Sequence, residues 1–355
     1  MRLKREPKRL VAALAAVALV AAACGDDDDS SDEASATTAA AADGESGTDD
    51  TGADDGAAVS GECETALGEP QIVDSFSELD LSGTDISVGS KDFVEQFVLG
   101  QLAIVAMEAA GANVTDNTNL GGTVVNRDAL LANEIDTYWE YNGTGWTVHL
   151  GQEDPSFDTD TLTNDVCVTD LAENDIRWIG VSPFNDTYGF ATSSDSPAGG
   201  GDLQAMMEYV NENSDAIVCM ETEFPNRPDG LVLLEDATGL TIPDDQVEIL
   251  ETGVIYDEIA NGNCTFGEVF TTDGRIPALN LDLVEDPGVF ILYNVSLTMP
   301  DSVYQTAPDA FQAIADTIVA GLDEETMAEL NRRVSADGED PRAVAEDYLT
   351  EQGLI

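Results

Sequence analysis

The sequence predicts an α/β fold built as two units. Strand-like and helical segments alternate from Asp85 onward, and a glycine run at residues 199–201 opens a second such series near residue 197. The apolar residues of the helical segments recur at helix spacing and stop at glycines. Alternation of this kind argues for layers with largely parallel strand pairing. In order, ISVG from Ile86 reads as a strand, SKD as a helix start, and FVEQFVLGQLAIVAMEAAG as a helix stopped by Gly111. A strand near VTDNTNL, the helix VVNRDALLANE and the strand IDTYWEY follow. After a loop at about 150–160, TLTNDVCVTDLAEND is helical, and IRWIGV and GFATSS are extended. The second unit reads as helix LQAMMEYVNENS, strand AIVCMETEF, a helix ending near Gly239, strand QVEILET, helix VIYDEIANGN and strand CTFGEVF. ILYNVSLTMP is extended, and the chain from DAFQAIADTIVAGL onward is mostly helical. NLGGT lacks the spacing of a phosphate loop and reads as a strand-to-helix turn.

The N-terminus has its own logic. Arg2, Lys4, Arg5, Lys8 and Arg9 precede the apolar run LVAALAAVALVAAA and then Cys24. A basic segment followed by a short apolar run predicts a signal peptide over 1–23, and the run is too short to span a bilayer comfortably. The cysteine after AAA matches a bacterial lipobox, with Ala21 where a bulkier residue is usual and Val20 one step further out. Cys24 is therefore the expected acylation site. The leader that follows is rich in Asp, Ser, Ala and Gly, without an aromatic residue up to Glu62. It cannot bury enough apolar surface to offset its ordering entropy, which predicts an acidic disordered tether over 24–82. No later apolar run is long enough to cross a membrane.

Charge and composition exclude several activities. The chain has 13 basic and 71 acidic residues, a formal net charge of −58. Removing the signal leaves eight basic residues, with Lys91 the one lysine. Nucleic acid is an unfavourable partner for such a surface. His149 is the single histidine, there is no CxxC and no nucleophile elbow. A Ser-His-Asp site, a zinc cluster and a cofactor are therefore not expected. Cys63, Cys167, Cys219 and Cys264 remain besides Cys24, an even set suggesting two disulfides outside the cytoplasm, with three pairings open.

Six stretches in fixed order then carry a resemblance. GSKDFVEQFVLG, NLGGTVVNRDALL, EIDTYWEYNGTG, PFNDTYGFAT, EFPNRPDGL and EVFTTDGRI resemble the substrate-binding proteins of osmoprotectant ABC importers, over about Asp85 to Tyr293. The resemblance implies a two-lobed periplasmic-binding-protein fold of type II with two crossovers. Lobe 1 is placed at 83–192 with 294–355, and lobe 2 at 193–293. It implies a monomer that binds a quaternary ammonium such as glycine betaine and breaks no bond. The ligand would pass to membrane permease subunits served by a separate ATPase subunit, with the protein held outside the cytoplasm by its lipid anchor alone. The same fold with choline, carnitine or another solute, or as a solute-sensing module, is the alternative.

A quaternary ammonium has no N–H, so aromatic faces must select it, at roughly 0.5–2 kcal/mol per ring. The resemblance places that cage on Tyr141, Tyr188, Phe270 and Tyr293, with Phe270 departing from the tyrosine expected there. Asp186 would add negative potential near the head. Lys91, Thr144 and Arg227 would take the carboxylate. Choline would leave Lys91 and Arg227 unpaired in a partly desolvated cleft, which favours a betaine. A disulfide between lobes would oppose their closure, so Cys219–Cys264 and Cys63–Cys167 are the implied pairs.

Overall fold

The computed structural model describes Cys63 and residues 68–355. The expected signal segment, Cys24 and most of the acidic leader lie outside the described residues. The tether does not extend to residue 82 as expected. Phe76 and Leu81 are buried, and the amides of Gln71 and Phe76 donate to Asp316 and to the Leu354 carbonyl. Two large apolar side chains are enough to seat this stretch in the core, beside the helix Val94–Ala109 and the C-terminal segment.

The first part of the fold is β1 (Asp85–Gly89), α1 (Val94–Ala109), β2 (Asn113–Asn117), α2 (Thr123–Leu131), β3 (Tyr138–Tyr141), α3 (Thr159–Asn174) and β4 (Ile176–Ile179). Helix α1 carries apolar residues on every face and so must be covered on every side. Strands β1 and β3 cover part of it. The rest is covered by the C-terminal helices α7 (Pro308–Ala320), α8 (Glu324–Ser335) and α9 (Pro341–Glu351).

The second part contains β5 (Tyr188–Ser193), α4 (Leu203–Glu212), β6 (Val218–Met220), α5 (Leu231–Thr238), β7 (Val247–Ile249), α6 (Thr252–Ala260), β8 (Phe266–Phe270) and β9 (Leu281–Leu283). Strand β10 (Val295–Pro300) then returns to the first. The sheets are β1-β2, β3-β10-β4 and β7-β6-β8-β5-β9. Pairing is mixed rather than largely parallel. β1-β2, β6-β7 and β6-β8 are parallel, but β10 is antiparallel to β3 and β4, and β5 to β8 and β9. A parallel neighbour needs a helical crossover within one sheet. Strands β5 and β10 each arrive from another sheet and join head to tail.

This also corrects the position of the first crossing. Tyr188 pairs with Phe270 in the five-stranded sheet, so the crossing lies between β4 and β5 rather than after residue 192. The two crossing segments run side by side, with Ser182 N donating to the Val295 carbonyl (2.9 Å) and Tyr293 N to Asn185 Oδ1 (2.6 Å). Strand β6 is shorter than AIVCMETEF predicts, because the Glu221 carboxylate accepts from the amides of Glu223 and Phe224, both at 2.6 Å, and curls the chain.

The disulfides are Cys63–Cys167 and Cys219–Cys264, with Cα atoms 6.0 and 5.7 Å apart. The second links β6 to the loop just ahead of β8, its parallel neighbour. Each bridge stabilises by roughly 2–4 kcal/mol. No helix of the described residues is long and apolar enough to cross a membrane.

Candidate ligand-binding site

A cavity of about 390 Å³ opens between the two parts of the fold, and Lys91, Tyr141, Thr144, Asp186, Tyr188, Arg227, Phe270 and Tyr293 all line it. The sequence thus nominated eight residues that the fold brings together. Five stand at strand ends, where a side chain can leave the sheet, while Asp186 lies in the crossover before β5 and Arg227 follows the short turn Phe224–Asn226. Lys91 follows β1, Tyr141 ends β3, Tyr188 begins β5, Phe270 ends β8 and Tyr293 precedes β10. Thr144 lies in the helical turn Asn142–Thr144 after β3. A Cβ on Gly143 would overlap the Leu292 carbonyl, so glycine is what lets this turn sit against the returning crossover.

The aromatic rings form a closed loop, and a fifth member joins it. Phe93 stands 6.2 Å from Tyr141 and 4.8 Å from Phe270, between centroids. Tyr293 stands 6.4 Å from Tyr141 and 5.4 Å from Tyr188, and Tyr188 stands 5.5 Å from Phe270. A planar pentagon with such edges would place its centre roughly 5 Å from every ring, inside the ~6 Å reach of a cation–π contact. Phe224 and Phe290 back Tyr188 at 4.9 and 6.3 Å. Burial raises the three tyrosine hydroxyls well above their ordinary range, so the rings stay neutral.

The cations are not free, which corrects one ground for preferring a betaine. Lys91 Nζ lies 2.6 Å from Glu140 Oε1 and 5.0 Å from the centroid of the Tyr141 ring. Burial alone would raise Glu140. Lys91 and the hydrogen-bonded His149 outweigh it and hold this carboxyl well below the usual range. His149, 2.8 Å from Glu140, thus packs as part of this buried ion cluster. Arg227 donates through Nε and Nη2 to both oxygens of buried Asp229, at 2.8 and 2.7 Å. Nη2 also reaches Thr144 Oγ1 and Nη1 reaches Thr123 Oγ1, both at 3.0 Å. Choline would therefore leave neither cation unpaired. The loosest contact is from Nη1 to Glu223 Oε2, at 3.4 Å.

Asp186 does not stand as a simple negative wall. Thr272 Oγ1 lies 2.7 Å from Asp186 Oδ1 and 2.6 Å from Glu95 Oε2. Burial, and then the neighbouring Glu95 charge, push Asp186 well above the usual carboxylate range, which weakens the potential expected from it.

Phe93, Glu95, Glu140, Asp229 and Thr272 are the residues that sequence reasoning missed. Phe93 and Asp229 stand inside the motifs GSKDF and PNRPDG, and a search for further rings and acids within those motifs would have found them. Glu95 stands in the same stretch, GSKDFVEQFVLG, but its spacing gives no sign that it would meet Asp186.

The turn at 272–275 also approaches α8 closely. Asn331 Nδ2 donates to Glu95 Oε2 at 2.9 Å and to the Thr272 carbonyl at 3.3 Å, and a Cβ on Gly274 would fall on the Arg332 backbone. Neither side of that contact is a flexible side-chain tip. Gly274→Ala should cost the closed arrangement ~1–3 kcal/mol, read by calorimetry as ligand affinity about tenfold weaker or more.

The family model described as the substrate binding domain of an ABC-type glycine betaine transport system matches residues 84–351. A glycine-betaine-binding protein of Pseudomonas aeruginosa is 30% identical over 279 residues, 76% of this chain and 88% of the relative. The solved structure of apo YehZ from Escherichia coli is similar with a TM-score of 0.57 and 28% identity, covering 76% of this chain and 99% of that one. A solved glycine betaine/carnitine/choline ABC transporter chain aligns with a TM-score of 0.61 at 20% identity, over 75% of this chain and 98% of its own, and speaks for the fold alone.

Proposed function

Since this chain belongs to the family of substrate-binding domains of ABC-type glycine betaine transport systems, we propose that it captures glycine betaine or a close quaternary ammonium relative. It then delivers the ligand unchanged to a membrane permease driven by a separate ATPase subunit. The observation that carries this reading is the closed loop of five rings, Phe93, Tyr141, Tyr293, Tyr188 and Phe270, around one cavity. The rings take the methylated head, and the methyl groups pack on their faces. The carboxylate is received by Arg227 Nη1, displacing the long contact to Glu223, with Thr144 beside it. Lys91 spends one of its three donors on Glu140 and keeps others for the ligand.

The lobes are 83–187 with 294–355, and 188–293, the first limit moved to the start of β5. Ligand contacts from both lobes favour the closed form. The acylated Cys24 and the acidic leader hold the domain at the outer face of the membrane. Calorimetry with trimethylglycine, carnitine and choline tests the reading. Its sharpest arm is 3,3-dimethylbutanoate, the carbon isostere of trimethylglycine. It keeps shape and carboxylate but lacks the positive charge, and should bind at least tenfold more weakly, ~1.4 kcal/mol. Equal binding of the isostere would sink the cation cage.

A further inference from the structure

Behind the cage, two buried carboxyls from different segments meet across one hydroxyl. Glu95 belongs to the first turn of α1, Asp186 to the outgoing crossover and Thr272 to the turn after β8. All three are buried. A threonine hydroxyl has one hydrogen, yet Thr272 Oγ1 makes short contacts to oxygens of both acids, at 2.6 and 2.7 Å. One contact must therefore be donated by a carboxyl O–H. Glu95 has the better anion site, accepting also from the Tyr141 hydroxyl and from Asn331 Nδ2, each at 2.9 Å. Asp186 has the Thr272 amide at 3.3 Å as its further donor, so the proton belongs on Asp186.

No cation of the neighbouring elements is left to neutralise the pair. Lys91 is matched by Glu140 of β3, Arg275 by Asp273 beside Thr272, and on α8 Arg332 by Glu329 and Asp337 and Arg333 by Glu339 and Asp347. Resting on the two-lobe reading above, Thr272 comes from the lobe opposite Glu95, and the bridge is completed when the lobes meet.

We propose that closing the cleft loads one proton onto this bridge, held by Asp186, so that capture of a permanently charged ligand draws a proton from solvent. Glu95, Thr272 and Asn331 are then positioning residues, which hold the Tyr141 wall and the turn after β8 in register. The sign follows from burial and the Glu95 charge, which raise Asp186 in this arrangement. A raised group favours the state that holds its proton at low pH, and that preference is lost as pH rises through its raised value.

Calorimetry of trimethylglycine at neutral pH, in two buffers of different ionisation enthalpy, reads the proton directly. Half-buried Glu221, just after β6, and buried Glu268 of β8 are raised in the same direction. The diagnostic quantity is therefore the difference from Asp186→Asn. The variant should take up about one proton fewer than the parent, and its affinity should fall less steeply with rising pH, where the parent loses up to tenfold per pH unit. Equal uptake in the two proteins overturns the proposal. If Asp186→Asn does not fold, Glu95→Gln removes the opposing charge and should also reduce uptake. Small-angle scattering of the ligand-free protein gives an arm that needs no ligand. Acidification should compact the parent more than the Asp186→Asn variant, and identical profiles would reject the bridge. Absent binding of every quaternary ammonium would instead reject the functional reading, leaving the scattering arm to decide this one.

Discussion

Tyr188→Ala is expected to weaken trimethylglycine binding by at least about 30-fold, ~2 kcal/mol. No other ring of the cage has as many aromatic neighbours among the described residues. It touches Phe270 and Tyr293 in the loop, Phe224 and Phe290 behind it, and stands 5.6 Å beneath the Arg227 guanidinium. Truncation removes one face from the cation and leaves a void that its neighbours can only partly fill. The void also costs stability, ~3–5 kcal/mol for a buried aromatic, so the variant must be titrated at a temperature where its melt shows it folded. Tyr188→Phe separates the two effects. It keeps the ring and should bind within a few-fold of the parent, whereas equal affinity in Tyr188→Ala would show that the ligand lies elsewhere.

Asp229→Ala should be the most damaging single change to stability among the charged residues of the site. The carboxylate is fully buried and accepts from Arg227 twice, from the Thr147 hydroxyl at 3.0 Å and from the Tyr293 hydroxyl at 2.9 Å. Removing it leaves a guanidinium that is itself only 7% exposed with just the long contact to Glu223 as a charged partner. Breaking one side of a buried pair costs ~3–5 kcal/mol, much of it the desolvation of the partner left behind. Urea unfolding should show that loss at neutral pH. The Asp229→Ala, Arg227→Ala double variant should recover part of it, since the buried guanidinium is then gone as well. A strictly additive double variant would mean that the two side chains act independently.

How much of this was legible beforehand differs between residues for physical reasons. The cage tyrosines were readable because motifs fix their place at strand ends, and strand ends converge at a cleft. The pairing of Lys91 and Arg227 was not. Glu140 and Asp229 are two among many acids, and only the fold decides which acid faces a given cation. Helix α1 was legible from its apolar spacing, but that it would be enclosed on all sides depended on helices more than 200 residues later in the chain. Strand direction was misjudged for a related reason. Local pattern marks a segment as extended, whereas the sense in which β5 and β10 pair depends on which sheet each enters. The same blindness put the first crossing a few residues late.

The bridge from Cys63 to Cys167 has a mechanical consequence. Any tension applied to the chain ahead of Cys63 passes through a covalent link into α3. It does not peel away residues 68–82, which a handful of hydrogen bonds tie to the C-terminal segment and a few apolar side chains anchor in the core. A domain pulled about by its leader would keep its seam intact.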